Sequence, residues 1–220
     1  MDDRNGPTYV PALGFAWLTA VYDPVVRITT REATFKKELL TRAELGADTR
    51  LLDLGCGTAT LAMMAKTAQP QATIIGLDAD PAVLRRGRAK AQAARLEVEL
   101  LQGIGERLPF PDGTFDRVVS SLFFHHLELG AKGRIAAEVF RVLAPGGGLH
   151  VADWGVPTNP LMRALFLPIQ VLDGFANTRD NVRGLLPRVF EASGFENVST
   201  QGNLSTAFGT LSYIAGHKPV

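Results

Sequence analysis

Short continuous apolar runs alternate along the 220-residue chain with segments whose apolar positions recur every three to four residues. Runs at 50–54, 72–77, 96–101, 115–122 and 149–154 read as buried strands. The segments after them, from 61, 82–94 and 130–143, read as amphipathic helices; the last places Ile135, Val139, Val142 and Leu143 on one face. Breakers fall between these elements: Gly55-Cys56-Gly57, Gln69-Pro70, Asp80-Pro81, Pro111-Asp112-Gly113 and Pro145-Gly146-Gly147-Gly148, the last expected to end its helix sharply. Further on, an apolar helix over 160–175 is expected, interrupted at Pro168. A second helix over 179–192 should stop at Gly194, and two strands over 197–201 and 208–217 close the chain. The β-α-β-α alternation predicts a parallel sheet covered on both faces.

Ahead of this core lies a different segment. Residues 1–8 are polar; 9–22 gather Phe15, Trp17, Leu18 and Val21; and 24–42 suit a helix with Val25, Ile28, Phe35, Leu39 and Leu40 inward and Arg31, Lys36 and Lys37 outward. Residues 1–45 are therefore expected to form a helical lid or a packing layer, the pattern serving either. Residues 46–220 should form one α/β domain with a helical cap at about 158–177.

Composition narrows the picture modestly. Net charge is +1, so no global field recruits nucleic acid or an anionic membrane. The single cysteine, Cys56, rules out an intrachain disulfide and a cysteine-built metal site. Stretch 9–22 is short for a membrane span and carries Pro11 and Gly14, so no stable membrane insertion is expected. These features suit a soluble cytoplasmic protein, monomer or homodimer.

The candidate chemistry starts at the first strand, where Leu51-Leu52-Asp53-Leu54 runs into Gly55-Cys56-Gly57 and at once into a helix. Strand, glycine turn and helix N-terminus form a site that lets a nucleotide-like ligand approach the backbone. The second strand ends in Asp78, about twenty residues after the glycines, where an acid is placed to accept from both ribose hydroxyls. Asp80 has a structural explanation as the N-cap before Pro81; Asp78 has none. A dinucleotide dehydrogenase is disfavoured, because Gly55-Cys56-Gly57-Thr58-Ala59-Thr60 lacks the Gly-x-Gly-x-x-Gly spacing.

With Leu51–Thr58, Asp78, Leu108-Pro109-Phe110-Pro111-Asp112-Gly113-Thr114-Phe115-Asp116 and Arg141-Val142-Leu143-Ala144-Pro145-Gly146-Gly147, the chain resembles the class I S-adenosylmethionine-dependent methyltransferases. Within them it is most similar to the ubiquinone/menaquinone-biosynthesis C-methyltransferases and their small-molecule relatives. Tyr22-Asp23, Ala192-Ser193-Gly194-Phe195 and Gly216-His217-Lys218-Pro219 add to that likeness. The resemblance implies a Rossmann-like, doubly wound, seven-stranded, mostly parallel sheet with a terminal antiparallel hairpin. It implies S-adenosyl-L-methionine as cofactor, held by Asp53, Gly55, Cys56, Gly57, Asp78, Ala79, Gly105, Glu106 and Ser121, with Tyr22 closing over it. Two positions depart from the family: Ala59 replaces the third glycine, and Ile104 replaces an acid that commonly accepts from the adenine amino group.

Methyl transfer from a sulfonium is mainly a positioning task, in which near-attack geometry can supply roughly 7–11 kcal/mol. A phenol or quinol acceptor must also lose a proton. Candidate bases follow strands four and five: His125, His126 and Asp153, each with a structural alternative, an Asx turn with Gly155 for Asp153. The acceptor pocket is expected from Phe123, Phe124 and Trp154, roofed by Met162, Phe166, Leu167, Ile169, Leu172 and Phe175. Such a lining suits a hydrophobic small molecule: a quinol, phenol, polyketide or lipid-like group. No sequence cluster has metal-ligand spacing, so metal-independent chemistry is expected. The rival function is a non-catalytic S-adenosylmethionine sensor or partner subunit, for which Ile104 is the support.

Overall fold

The computed structural model describes residues 31–220. Strands β1 (Arg50–Leu54), β2 (Thr73–Asp78), β3 (Glu99–Gln102), β4 (Phe115–Ser121), β5 (Leu143–Trp154), β6 (Glu196–Thr206) and β7 (Gly209–His217) form one sheet in the order β3-β2-β1-β4-β5-β7-β6. The first five strands in that order are parallel, and β7 lies antiparallel between β5 and β6. The expected seven-stranded, mostly parallel α/β architecture with its terminal hairpin is thus present. Strand β1 shows why its residues read as a continuous apolar run: Leu51 packs into the core on one face, Leu52 and Leu54 into the core on the other.

The helices are α1 (Glu32–Ala43), α2 (Thr60–Ala68), α3 (Pro81–Ala93), α4 (Leu129–Val142), α5 (Pro160–Leu165), α6 (Leu167–Asp173), α7 (Phe175–Val182) and α8 (Leu186–Ala192), with a 3-10 turn at Phe124–His126. One core joins Phe35 and Leu39 of α1, Leu61 of α2, Leu84 of α3 and the cap residues Phe166 and Ile169. The other joins Ile135 and Val139 of α4 with Leu186 and Phe190 of α8. Because the chain leaves β3 at one edge and returns to β4 beside β1, the strand order reverses between β1 and β4. The carboxyl ends of those strands therefore open a crevice.

Several expected boundaries move. Helix α1 begins at Glu32, after Arg31 in the left-handed region at φ 57°; the stretch of the expected helix over 24–30, with Val25 and Ile28, lies outside the described residues. Lys36, expected outward, is buried with its Nζ 2.7 Å from Glu32 Oε1. Pro145-Gly146-Gly147-Gly148 does not form a separate stop. Strand β5 begins at Leu143 immediately after α4 and absorbs the glycines at the sheet's edge of entry, where its register against β4 shifts between Phe115 and Arg117. The two helices expected over 160–192 are four short ones, broken at Phe166, at Gly174 (φ 90°) and around Gly184 (φ 70°). Pro168 sits in the first turn of α6, where its missing N–H costs nothing.

Candidate cofactor and methyl-transfer site

The glycine turn leaves β1 through three left-handed residues, Gly55 (φ 69°), Gly57 (φ 53°) and Ala59 (φ 59°). A side chain at Gly55 would collide with the Phe123 ring, whereas nothing lies within 4 Å of the space beside Gly57. Gly57 thus keeps an open cradle at the N-terminus of α2. Ala59 tolerates the third glycine's position because it is wholly buried against Gly87 of α3, which leaves room for its methyl group. Lys90 Nζ braces the turn at Thr58 O (3.1 Å) and Thr60 Oγ1 (2.8 Å).

Two acids converge on this cradle. Asp78 Oδ2 accepts from Gly57 N at 2.8 Å and Oδ1 from Asp80 N at 2.9 Å. Asp80 does what its position before Pro81 implies and caps α3 by accepting from Ala82 N at 2.6 Å. Asp53 is fully buried; Oδ2 accepts from Ala62 N at 3.0 Å, while Oδ1 has no partner. Burial raises its pKa to about 7, opposed by the Lys36 charge and the Ala62 amide. An orphaned buried carboxylate oxygen beside an open glycine cradle fits a ligand carrying a ribose diol and an ammonium group, as S-adenosylmethionine does.

The other expected cofactor residues divide. Cys56 is buried with its sulfur turned toward Gly76, so only its backbone faces the turn. Ala79 O accepts from Gln102 Nε2 at 3.3 Å. Glu106 is held by Arg134 Nε at 2.8 Å, and Gly105 packs against Ile135. Ile104 stands exposed on this loop as an apolar side chain. Ser121 ends β4 at the crevice, half-buried. Tyr22 lies outside the described residues.

At the ends of β4 and β5 the histidines and Asp153 form one unit. Leu122 adopts φ 53°, which turns the chain so that three successive amides, Phe123, Phe124 and His125, donate to Asp153 Oδ2 at 3.1, 2.7 and 3.3 Å. Asp153 Oδ1 accepts from Trp154 N and meets His125 Nδ1, both at 2.7 Å. No Asx turn with Gly155 is made. With both oxygens saturated and no exposure, Asp153 is an anchor rather than a free base. Burial would raise its pKa, but the His125 charge and hydrogen bond hold it below the usual carboxylate range.

The cap supplies a carboxylate that the sequence did not single out. Asp173, at the end of α6, lies 3.5 Å from His125 Nε2 and 3.6 Å from His126 Nδ1. Its separation in sequence from the histidines, and its place after an apolar run, gave no signal. Burial lowers the pKa of His125, yet Asp153 and then Asp173 lift it to about 9. His126, whose ring centroid is 3.9 Å away, is pushed down to about 4 by burial and by the His125 charge. His125 is therefore the cation, and His126, with 31 % of its side chain exposed, is the neutral ring open to the crevice. One ligand atom from each of His125, His126 and Asp173 also lies close enough to the others, within 4.8 Å, for a metal to bridge.

The apolar lining is partly as expected. Trp154 packs on Phe166 at 5.2 Å and edge-on to His125 at 6.3 Å, with Ile169 and Met162 buried nearby in the cap. Phe123 flanks the glycine turn. Phe124 does not line a pocket: it is fully buried against Phe190 at 5.4 Å. Leu167, Leu172 and Phe175 are not a roof either, since they face outward.

Residues 51–147 match the family described as a methyltransferase domain. A demethylmenaquinone methyltransferase of Thermus thermophilus is 42% identical over 111 residues, half of each chain. The chain spans about half the length of that relative and less than two thirds of the demethylmenaquinone methyltransferases of Deinococcus radiodurans and Listeria welshimeri, which are 32% and 35% identical. Among solved structures, a Bacillus subtilis protein superposes with TM-score 0.67 at 21% identity, over 84% of this chain and 98% of its own. Haemonchus contortus phosphoethanolamine N-methyltransferase 2, in complex with S-adenosyl-L-methionine, gives 0.69 at 15% identity, over 85% and 53%. The glycine cradle, the paired acids and these likenesses agree: residues 51–147 carry a methyltransferase domain, and the chain around it has the fold of the class I S-adenosylmethionine-dependent methyltransferases.

Proposed function

We propose that the protein methylates a small hydrophobic acceptor bearing an ionisable hydroxyl, a quinol or phenol. The observation that carries this reading is the pair of imidazoles with centroids 3.9 Å apart, set against two carboxylates beside Trp154. Two carboxylates and one imidazolium leave the cluster with one net negative charge. His126, held neutral beside the imidazolium, is the ring with a lone pair to offer a hydroxyl proton.

When bound, S-adenosylmethionine supplies an electrophilic methyl group on a sulfonium. The chain's own residues do the rest. Asp78 and Gly57 fix the ribose end, and Asp53 receives the ammonium. Trp154, Phe166 and Ile169 keep the acceptor side dry, which suits a step in which positive charge disperses. His126 takes the acceptor's hydroxyl proton; His125, pinned by Asp153, holds Asp173 in place and stabilises the arrangement. The curated relatives named as demethylmenaquinone methyltransferases support a quinol as the acceptor class.

The test is labelled methyl transfer with a panel of reduced naphthoquinols and simple phenols. Transfer is expected, and His126→Gln should lower kcat about 10²–10⁴-fold with cofactor affinity unchanged. Tight cofactor binding with no transfer to any of these acceptors would overturn the reading in favour of a sensor.

A further inference from the structure

Helix α6 is inside out. Its polar residues Gln170 and Asp173 are turned inward, each at most 4 % exposed as residue or side chain, while Leu167, Val171 and Leu172 stand 44 %, 70 % and 58 % exposed. Leu161 of α5 and Phe175 of α7 extend the same outward character to the neighbouring helices. A surface helix of a globular protein normally shows the opposite polarity, and a cluster of exposed large apolar side chains marks a place where another phase or molecule is met.

The charges around this face say which. Phe175 and Arg179 of α7 and Arg183, its C-cap residue, recur at four-residue spacing and are all exposed. Over 155–190 the acids are Asp173 and Asp180, both drawn inward: Asp173 to the histidines and Asp180 to the buried Lys132 at 3.4 Å. What remains outward on α5–α7 is apolar with a rim of arginines and no exposed carboxylate; the next acid along the chain is the exposed Glu191 on α8. That is the surface of an interfacial, not a spanning, element, and no helix among the described residues is long and apolar enough to cross a membrane.

We propose that α5–α7 dock on an anionic lipid bilayer, with Leu167, Val171, Leu172 and Phe175 entering the interface and Arg179 and Arg183 meeting lipid phosphates. The inward side of the same helix carries Asp173 and lies over the histidines, so docking would set the acceptor side of the crevice against the lipid phase. This goes beyond methyl transfer and does not depend on the acceptor's identity.

Co-sedimentation with phosphatidylcholine vesicles, with and without phosphatidylglycerol, tests it. Binding to phosphatidylglycerol vesicles that weakens with added salt is expected. The double substitution Val171→Ser with Leu172→Ser should lower partition about tenfold or more. Arg179→Gln with Arg183→Gln should remove roughly tenfold of the phosphatidylglycerol-dependent part. Unchanged cofactor affinity and circular dichroism verify that both variants are folded. Absence of wild-type binding to phosphatidylglycerol vesicles, or equal binding by the folded variants, overturns the proposal. So does a wild-type dimer that binds no vesicles and that the Val171/Leu172 variant converts to monomer, since a second copy would then cover the face.

Discussion

Asp153 Oδ1 lies 2.7 Å from His125 Nδ1 inside the protein, while its other oxygen collects three consecutive backbone amides. The pair thus fixes two things together: the tautomer and charge of His125, and the path of the chain that leaves β4. Asp153→Asn leaves the imidazolium without its buried counter-charge. Breaking a buried pair in this way costs about 3–5 kcal/mol. Urea denaturation of the variant checks it, and a loss below about 1 kcal/mol would mean that the pair contributes little.

The same pair sets a pH dependence. The folded pKa of His125, about 9, lies above its ordinary 6.5. Its stabilisation is therefore complete below pH 6.5 and is lost as pH rises through 9, by roughly 3 kcal/mol. His126 works the other way: its folded value near 4 means that stability falls as pH drops below 6.5. Unfolding midpoints measured across pH 5–10 should peak near 6.5. In Asp153→Asn the alkaline decline should flatten.

Asp78 holds Gly57 N as well as facing the cradle. Asp78→Ala should lower S-adenosylmethionine affinity tenfold or more, because bonds to a charged acceptor are worth roughly 1.5–3 kcal/mol. Asp80→Ala removes only the cap on Ala82 N and should cost about 1 kcal/mol of stability with little change in binding. Calorimetric titration of both folded variants separates the two roles, and equal affinities would remove Asp78 from the site.

Ile104 is exposed and apolar, and its neighbour Glu106 is engaged by Arg134. Ile104→Asp therefore adds an acceptor on the loop without displacing another. A modest gain in affinity is expected for S-adenosylmethionine and none for an analogue lacking the adenine amino group. Identical responses to the two ligands would show that residue 104 does not face adenine.

Lys132 is a fully buried cation on α4 that donates to Asn177 O at 2.7 Å and meets Asp180 at 3.4 Å. Lys132→Met strands Asp180 and loosens the cap from the core. Hydrogen exchange over 160–182 should rise well above that of the β1–β5 strands. A uniform rise across the whole chain would show that Lys132 supports the fold rather than the cap.

Local pattern was enough for the parallel sheet, the glycine turn, Asp78 at the end of β2 and Asp80 as the cap, because each rests on residues close in sequence. The motifs at 108–116 and 141–147 were visible separately. Only the fold shows why they occur together: Arg141 binds Leu108 O, Phe110 O and Asp112 Oδ1. The roles around the histidines were decided by tertiary contact. His125 and His126 are adjacent and chemically identical; the Asp153 and Asp173 carboxylates charge one ring against its burial, and burial with that neighbouring charge leaves the other neutral. The polarity of α6 was likewise hidden. An apolar run of seven residues with Gln170 and Asp173 reads as a roof with its polar side in water. It is the pull of the buried histidines on Asp173, and of Thr178 on Gln170 at 3.0 Å, that turns the polar side inward and leaves Val171 and Leu172 facing out.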